Sequence, residues 1–496
     1  MRLGCPKHRS RSEENRCRKK ESDKKTTEVT EVLSETTHQI IIDGKKIEYK
    51  AVAGTMALTE DDEDAKASMF YIAYTRTGVS DPANRPVTFS FNGGPGSSSV
   101  WLHLGLLGPR RTLLDNDGNA SAPPYELVDN EYSILDKTDL VFIDPISTGY
   151  SRAAEGEDPH QFHGVKEDIK SVGEFIRLYT TKNKRWSSPK FLIGESYGTT
   201  RAAGLSGYLQ NKHGMFLNGI MLVSSILNFQ TARFTNGNDL PFILFLPTYT
   251  ATAWYHNRLT DDLQSDLQAA LRESEEFARG EYTSALMLGD ALTGDRRSAL
   301  VVKLARLTGL TEEYIERTNL RILIHRFIKE LRRDEGRTVG RLDSRFVGID
   351  KDAAGEWYDY DPSYSNILGA YSATLNHYLR SELEYESNLP YNILTGKVHP
   401  WSYDDYKNRF VDVAETLRKA MTKNPFMKVY IANGYFDLAT PYFATEYTFS
   451  HMGLDATLRD NVTMKYYESG HMMYIHIPSL AKQRRDLIEF IDSATE

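Results

Sequence analysis

The stretch that most constrains this chain is residues 189–211. There an apolar run ending in Phe191, Leu192 and Ile193 meets G-E-S-Y-G at positions 194–198 and passes into an Ala- and Leu-containing run. The first part reads as a buried strand and the last as a helix, so the five residues between must turn the chain sharply. Glycine at 194 and 198 allows that turn, and Ser196 stands at its tip. Short apolar runs bounded by turn residues recur at 87–94, 138–145, 217–225, 427–434 and 461–470. Between 163 and 181, Val165, Ile169, Val172, Phe175, Ile176 and Tyr179 repeat at helical spacing. Strands alternating with helices in this way predict a mostly parallel central sheet flanked by helices.

A chain of 496 residues exceeds one ordinary core, so a large domain with an insertion is expected. Residues 1–36 are polar and without periodicity and read as a disordered basic tail. Order is expected from a hairpin over 38–54 that turns at Asp43-Gly44, followed by a strand at 69–76. Residues 37–231 then form the first part of the core. From 232 to 400 strand-like runs become scarce. Residues 260–280 open at a Thr/Asp cap with Leu263, Leu267 and Leu271 on one face, and similar patterns cover 296–308 and 319–334. This region reads as a mainly helical insertion capping the site. Residues 401–496 complete the core and end in a helix at 478–495.

Charge and composition narrow the function. The net charge is −8, but residues 1–30 carry a local +5, which leaves −13 on the remainder. An acidic body argues against nucleic-acid binding. No apolar run is long enough to span a bilayer, which predicts no membrane insertion. Both cysteines, Cys5 and Cys17, fall in the tail, with only His8 nearby, a weak metal site. No other Cys, His and acid cluster has ligand spacing, so neither metal nor cofactor is expected. The start of the chain shows no apolar signal region. Together with the absence of cysteine from the folded part, this predicts a cytoplasmic protein, or a secreted one if the start is misassigned.

A serine is a weak nucleophile until a base takes its proton and a third group orients that base. The candidates follow Ser196 in the order acid, then histidine, each in a loop after a later strand. Asp437 lies in N-G-Y-F-D at 433–437, and His471 in S-G-H-M at 469–472. Both positions are at carboxyl ends of strands, where open α/β sheets place their sites. His103, His163, His377 and His476 lack such context and read as structural. A second Gly-rich turn, F-N-G-G-P-G-S-S-S at 91–99, also follows a strand and suits an oxyanion hole.

N-G-G-P-G-S-S, G-E-S-Y-G-T, N-G-x-x-D and G-H-M, in this order and wide spacing, resemble the serine carboxypeptidase family within the α/β-hydrolase superfamily, closest in style to its bacterial members. The resemblance spans roughly residues 69–495. It implies an α/β-hydrolase fold and a triad of Ser196, Asp437 and His471. It also implies an oxyanion hole from the backbone N–H groups of Gly94 and Tyr197, and a grip on the substrate's C-terminal carboxylate by Asn92, Gly93 and Glu195. Two departures stand out. Ser97 replaces a cysteine that family members often pair in a disulfide, and Leu106 stands where eukaryotic members carry a second carboxylate-binding glutamate. The expected activity is a serine-type carboxypeptidase acting on peptides through an acyl-enzyme. An esterase or acyltransferase using the same site is the alternative, and a non-catalytic binding protein the rival from another class.

Overall fold

The computed structural model describes residues 29–59 and 65–496. Cys5, Cys17 and most of the basic tail therefore lie outside the described residues. A central sheet carries nine strands in its main path. These are β1 (Leu33–Ile42), β2 (Lys45–Leu58), β3 (Ala67–Arg76), β4 (Val87–Phe91), β5 (Asp139–Ile143), β6 (Lys190–Glu195), β7 (Gly219–Val223), β8 (Lys428–Gly434) and β9 (Val462–Tyr467). Their spatial order is β1-β2-β3-β5-β4-β6-β7-β8-β9, and a two-residue strand, Arg152–Ala153, pairs with β3. The β1–β2, β2–β3 and β3–β5 pairs are antiparallel and every later pair is parallel. This is the α/β-hydrolase fold.

The tail ends earlier than its composition suggests. Leu33 to Thr36 are already in β1, pairing with Gly54 to Ala51 of the long β2, whose edge would otherwise expose unpaired N–H and C=O groups. The hairpin turns at Asp43 and Gly44, both with positive φ (48° and 73°), the geometry of a tight two-residue turn.

Two apolar cores cover the two faces of the sheet. One takes α1 (Val165–Lys182) and α2 (Tyr197–His213), with Val172, Phe175, Ile176, Ala202 and Leu205 packed on Leu192 and Ile220. A third core belongs to the insertion, around α3 (Leu240–Tyr255), α4 (Leu267–Phe277), α5 (Gly294–Thr308) and α6 (Ile324–Glu330). Two of the expected helices are shorter than their periodicity predicts. The run from 260 breaks after Gln264 because Asp266 restarts it, accepting from the N–H groups of Gln268 and Ala269. The run from 319 starts only at Ile324, because Asn319 and Leu320 have positive φ.

The boundary expected at residue 400 also falls elsewhere. The helix α7 (Pro362–Ser381) turns Ile367, Ala370, Tyr371, Leu375, Tyr378 and Leu379 to one side, and this stripe packs into a sheet-face core with Trp101 and Leu106, not into the insertion's own core. Its 3–4 residue spacing buries it against whatever face lies nearest, and that face is the sheet. The helix α8 (Ala414–Lys423) packs on α2, and α9 (Ile477–Thr495) closes the chain.

Candidate active site

Ser196 follows the last residue of β6 and caps α2, with φ 60° and ψ −129°. A side-chain-bearing residue adopts this region only under strain, and such strain is stored where it serves a function. Its N–H donates to Val223 O of β7 (3.0 Å), pinning the turn to the neighbouring strand. A Cβ on Gly194 would overlap the carbonyl of Gly198, so the chain can cross itself only with glycine there. Ser196 is half-buried whereas residues 191–195 and 197–200 are buried, so the turn presents this one side chain.

Asp437 and His471 meet. The Nδ1–H of His471 donates to Asp437 Oδ2 (2.8 Å), and both residues are buried. Three more donors hold the carboxylate. The N–H groups of Ala439 (2.7 Å) and Thr440 (3.0 Å) reach Oδ1, and the Thr440 hydroxyl reaches Oδ2 (2.7 Å). Burial works to lower the His471 pKa, but the Asp437 charge, its hydrogen bond and Glu195 outweigh it, and the ring's pKa is raised. His103, His163 and His476 bond Tyr74, Ser147 and Ser479, none of them a partner of Asp437.

The insertion runs between these two loops. Arg341 O accepts from Leu438 N (3.2 Å), Leu342 O from His471 N (2.7 Å), and Ser344 N donates to Phe436 O (3.0 Å). Asp343, paired with Arg345, accepts from Gly470 N (3.0 Å). From the other side Ser224 Oγ donates to His471 O (2.6 Å). Residues 341–345 carry no motif, and no periodicity could have singled them out.

The Gly-rich loop lies against the start of α2. A Cβ on Gly93 would sit 2.5 Å from Tyr197 N, so only glycine lets the two backbones approach. Gly94 is exposed beside Ser196, and the first N–H groups of α2 have no partner inside the helix. Gly94, Ser196 and Tyr197 thus face one cavity. Arg201 holds the loop in place. Its guanidinium donates to Asn92 O (2.6 Å) and to both oxygens of Asp168 (2.8 and 3.1 Å), entirely out of solvent. Sequence reasoning passed over Arg201, although it stands one helical turn beyond Ser196. Ser97, where a family disulfide would be, instead accepts from Trp101 Nε1 (3.0 Å), and the loop pairs with residues 393–395 through Ser98 N to Ile393 O (2.8 Å) and Thr395 N to Gly96 O (3.0 Å).

Asn92 and Glu195 come together, but not at the surface. Both are nearly inaccessible (1% and 4%), and Tyr474 donates its hydroxyl to Glu195 Oε2. Asn92 Oδ1 accepts from Leu102 N (3.1 Å). Burial pushes the Glu195 carboxyl up to about 7, against the pull of His471, the Tyr474 hydroxyl and the Asn92 amide. Tyr474 was missed, although it follows His471 by three residues. Leu106 is buried in the sheet-face core.

A cavity of about 940 Å³ opens on the nucleophile. Gly94, Ser196, Tyr197 and Thr440 form its floor. Phe234, Phe245, Leu323, Arg341 and Trp357 of the insertion form its walls, and Asn92, Gly93 and Glu195 do not line it. Asn92, Gly93 and Glu195, the residues expected to grip a carboxylate, are the buried chain neighbours of the floor residues Gly94 and Ser196, and Glu195 is bonded to Tyr474.

The family model for serine carboxypeptidase matches residues 43–475. The chain belongs to the serine carboxypeptidase family. Serine carboxypeptidase-like 45 of Arabidopsis thaliana is 25% identical over 187 residues, 35% of this chain and 36% of that protein. The pheromone-processing carboxypeptidase KEX1 of Saccharomyces cerevisiae is 33% identical over 156 residues, 29% of this chain and 20% of that protein. These matches span little more than a third of the curated relatives' own length at most. The crystal structure of KEX1 superposes with a TM-score of 0.57 at 16% identity, covering 90% of this chain and 91% of that one, a likeness of fold. Membership of the serine carboxypeptidase family overturns the expectation of a cytoplasmic protein, since these relatives point away from that compartment. The absence of cysteine from the folded part misled because a fold held by large apolar cores needs no disulfide in any compartment, so cysteine count does not report location.

Proposed function

We propose that this chain is a serine-type carboxypeptidase that releases C-terminal residues from peptides through an acyl-enzyme on Ser196. The observation that carries the reading is the buried His471–Asp437 pair behind a strained Ser196 that opens into an insertion-walled cavity. With Nδ1 committed to Asp437, His471 has Nε2 left for the serine proton. Ser196 Oγ attacks the scissile carbonyl as Nε2 takes its proton. The N–H groups of Gly94 and Tyr197 meet the oxyanion, and the imidazolium returns the proton to the leaving amine. Water, activated by the same ring, then cleaves the acyl-enzyme. Incubating a defined peptide mixture and weighing the products tests the reading. Ladders that lose one residue at a time from the C-terminus are expected, whereas internal cleavage or untouched peptides would count against it.

A second reading, an esterase or acyltransferase on the same triad, draws on two observations. Leu106 is buried where a carboxylate-binding glutamate would stand, and Glu195 is already bonded to Tyr474. Ester turnover without peptide ladders would favour it.

Glu195 also sets a pH expectation. When ionised it raises the pKa of His471, and attack needs the neutral ring. Glu195→Gln removes that charge while keeping an oxygen for Tyr474, so the His471 pKa falls. The acid limb of kcat/KM for an uncharged aryl ester should therefore move to lower pH. A limb that stays in place, or moves up, would mean that the two groups do not communicate.

A further inference from the structure

We infer that Arg341 receives a carboxylate of the substrate inside the cavity that opens on Ser196. The inference rests on the reading of the chain as a Ser196-dependent hydrolase. It names what that site selects.

The cavity walls hold three arginines, Arg233, Arg326 and Arg341, against one acid, Glu356, in a chain whose net charge is −8. Arg326 is spent on Glu356 (3.0 Å). Arg233 is exposed and lies over the Phe229 ring (5.5 Å to the centroid). The guanidinium of Arg341 forms no ion pair, hydrogen bond or ring contact among the described residues. The two acids beside its stretch of backbone are occupied. Asp343 is held by Arg345 (2.7 Å) and by Gly470 N. Asp361 accepts from the backbone N–H groups of Arg341, Leu342 and Ser363.

A half-buried guanidinium without an acid has lost part of its hydration and gained nothing in exchange. Its planar fork of donors matches a carboxylate in two places at once. The main chain beneath it is fixed, since Arg341 O accepts from Leu438 N and the next carbonyl, Leu342 O, accepts from His471 N. An anion on Arg341 is thus registered to the catalytic loops through two successive peptide groups. Its charge is felt at His471, His325 and Tyr358, each of which it disposes toward losing a proton. Glu195, by contrast, is buried and already bonded to the Tyr474 hydroxyl.

The carboxylate has two possible sources, the C-terminus of a peptide or an acidic side chain beside the scissile bond. Three substrate pairs separate them. The first is a neutral peptide as free acid and as amide. The second is a free-acid peptide with Glu or Gln in its last two positions. The third is an aryl ester of glutaric acid against that of butyric acid, which reads Arg341 even if no peptide is cut. In the wild type, kcat/KM should favour the charged member of at least one pair by about 10- to 100-fold. In Arg341→Gln that ratio should fall to near one, mainly through KM, and Arg341→Lys should recover part of it. Each ratio is taken within one enzyme preparation, so a loss of folded protein cancels. A change confined to the first pair assigns the C-terminus, and one confined to the second assigns the side chain. A wild type with no preference in any pair, or an Arg341→Gln variant that keeps every preference, overturns the inference. Peptides left intact while the ester pair still discriminates would sink the peptidase reading and leave Arg341 its role.

Discussion

Replacing Ser196 with alanine is expected to abolish covalent labelling by a fluorophosphonate and to remove turnover, with the fold retained. Ser196 Oγ is the proposed attacking atom, and its loss takes away only a half-buried hydroxyl. His471→Ala is expected to cost about 10⁴-fold or more in kcat, because such groups act as a unit and the serine then lacks its base. Asp437→Asn should be nearly as severe. An asparagine at 437 would offer its amide to His471 Nδ1 and hold the ring in the wrong tautomer, since the donor at that contact is now the ring. Labelling that persists on another serine, with normal hydrolysis, would remove Ser196 from its role.

Arg201→Met should be the most destabilising of the substitutions considered, by about 3–5 kcal/mol, because it strands a charge in the interior. Asp168 is 2% exposed, and Arg201 is its partner at both oxygens. Burial already pushes the Asp168 carboxyl upward even with the guanidinium present. Adding Asp168→Leu should return much of the loss, since an apolar pair of similar volume leaves nothing unpaired. Activity should not return with it. Arg201 also donates to Asn92 O, and without that bond the loop carrying Gly94 loses its tie to α2. Urea unfolding midpoints and ester turnover, measured on the single and double variants, separate the two effects. A single variant within about 1 kcal/mol of wild type would show that the buried pair contributes little.

The sheet and the three candidate triad residues were legible in sequence for one physical reason. A central parallel strand is buried on both faces and ends in a turn, so β6, β7 and β8 appear as short apolar runs, and the edge strand β9 as a weaker one, each followed by Gly, Asn or Ser within a few residues. Ser196, Asp437 and His471 each occupy such an end. Helix limits were less legible wherever a single residue overrides periodicity, as Asp266 does by capping and Asn319 and Leu320 do by adopting positive φ. The placement of α7 was not legible at all. Its apolar stripe states that it packs but not on what, and the sheet-face core claims it. Arg201 and Tyr474 escaped because each bonds a partner more than a hundred residues away in the chain, and Arg341 because the cavity it lines is assembled from segments far apart in the chain, which local spacing cannot register.

Residues 341–345 make the insertion a poor candidate for exchange as a cartridge. A chimera that keeps the sheet, the elbow and both catalytic loops but takes this region from a relative would also import whatever backbone then faces Leu438 and His471. Here those partners are the carbonyls of Arg341 and Leu342. Diversification of substrate range by swapping the roof is therefore chained to a short strip of main chain that must arrive in register. Point changes on the cavity walls leave that strip intact, and they are the cheaper route for laboratory evolution of this scaffold.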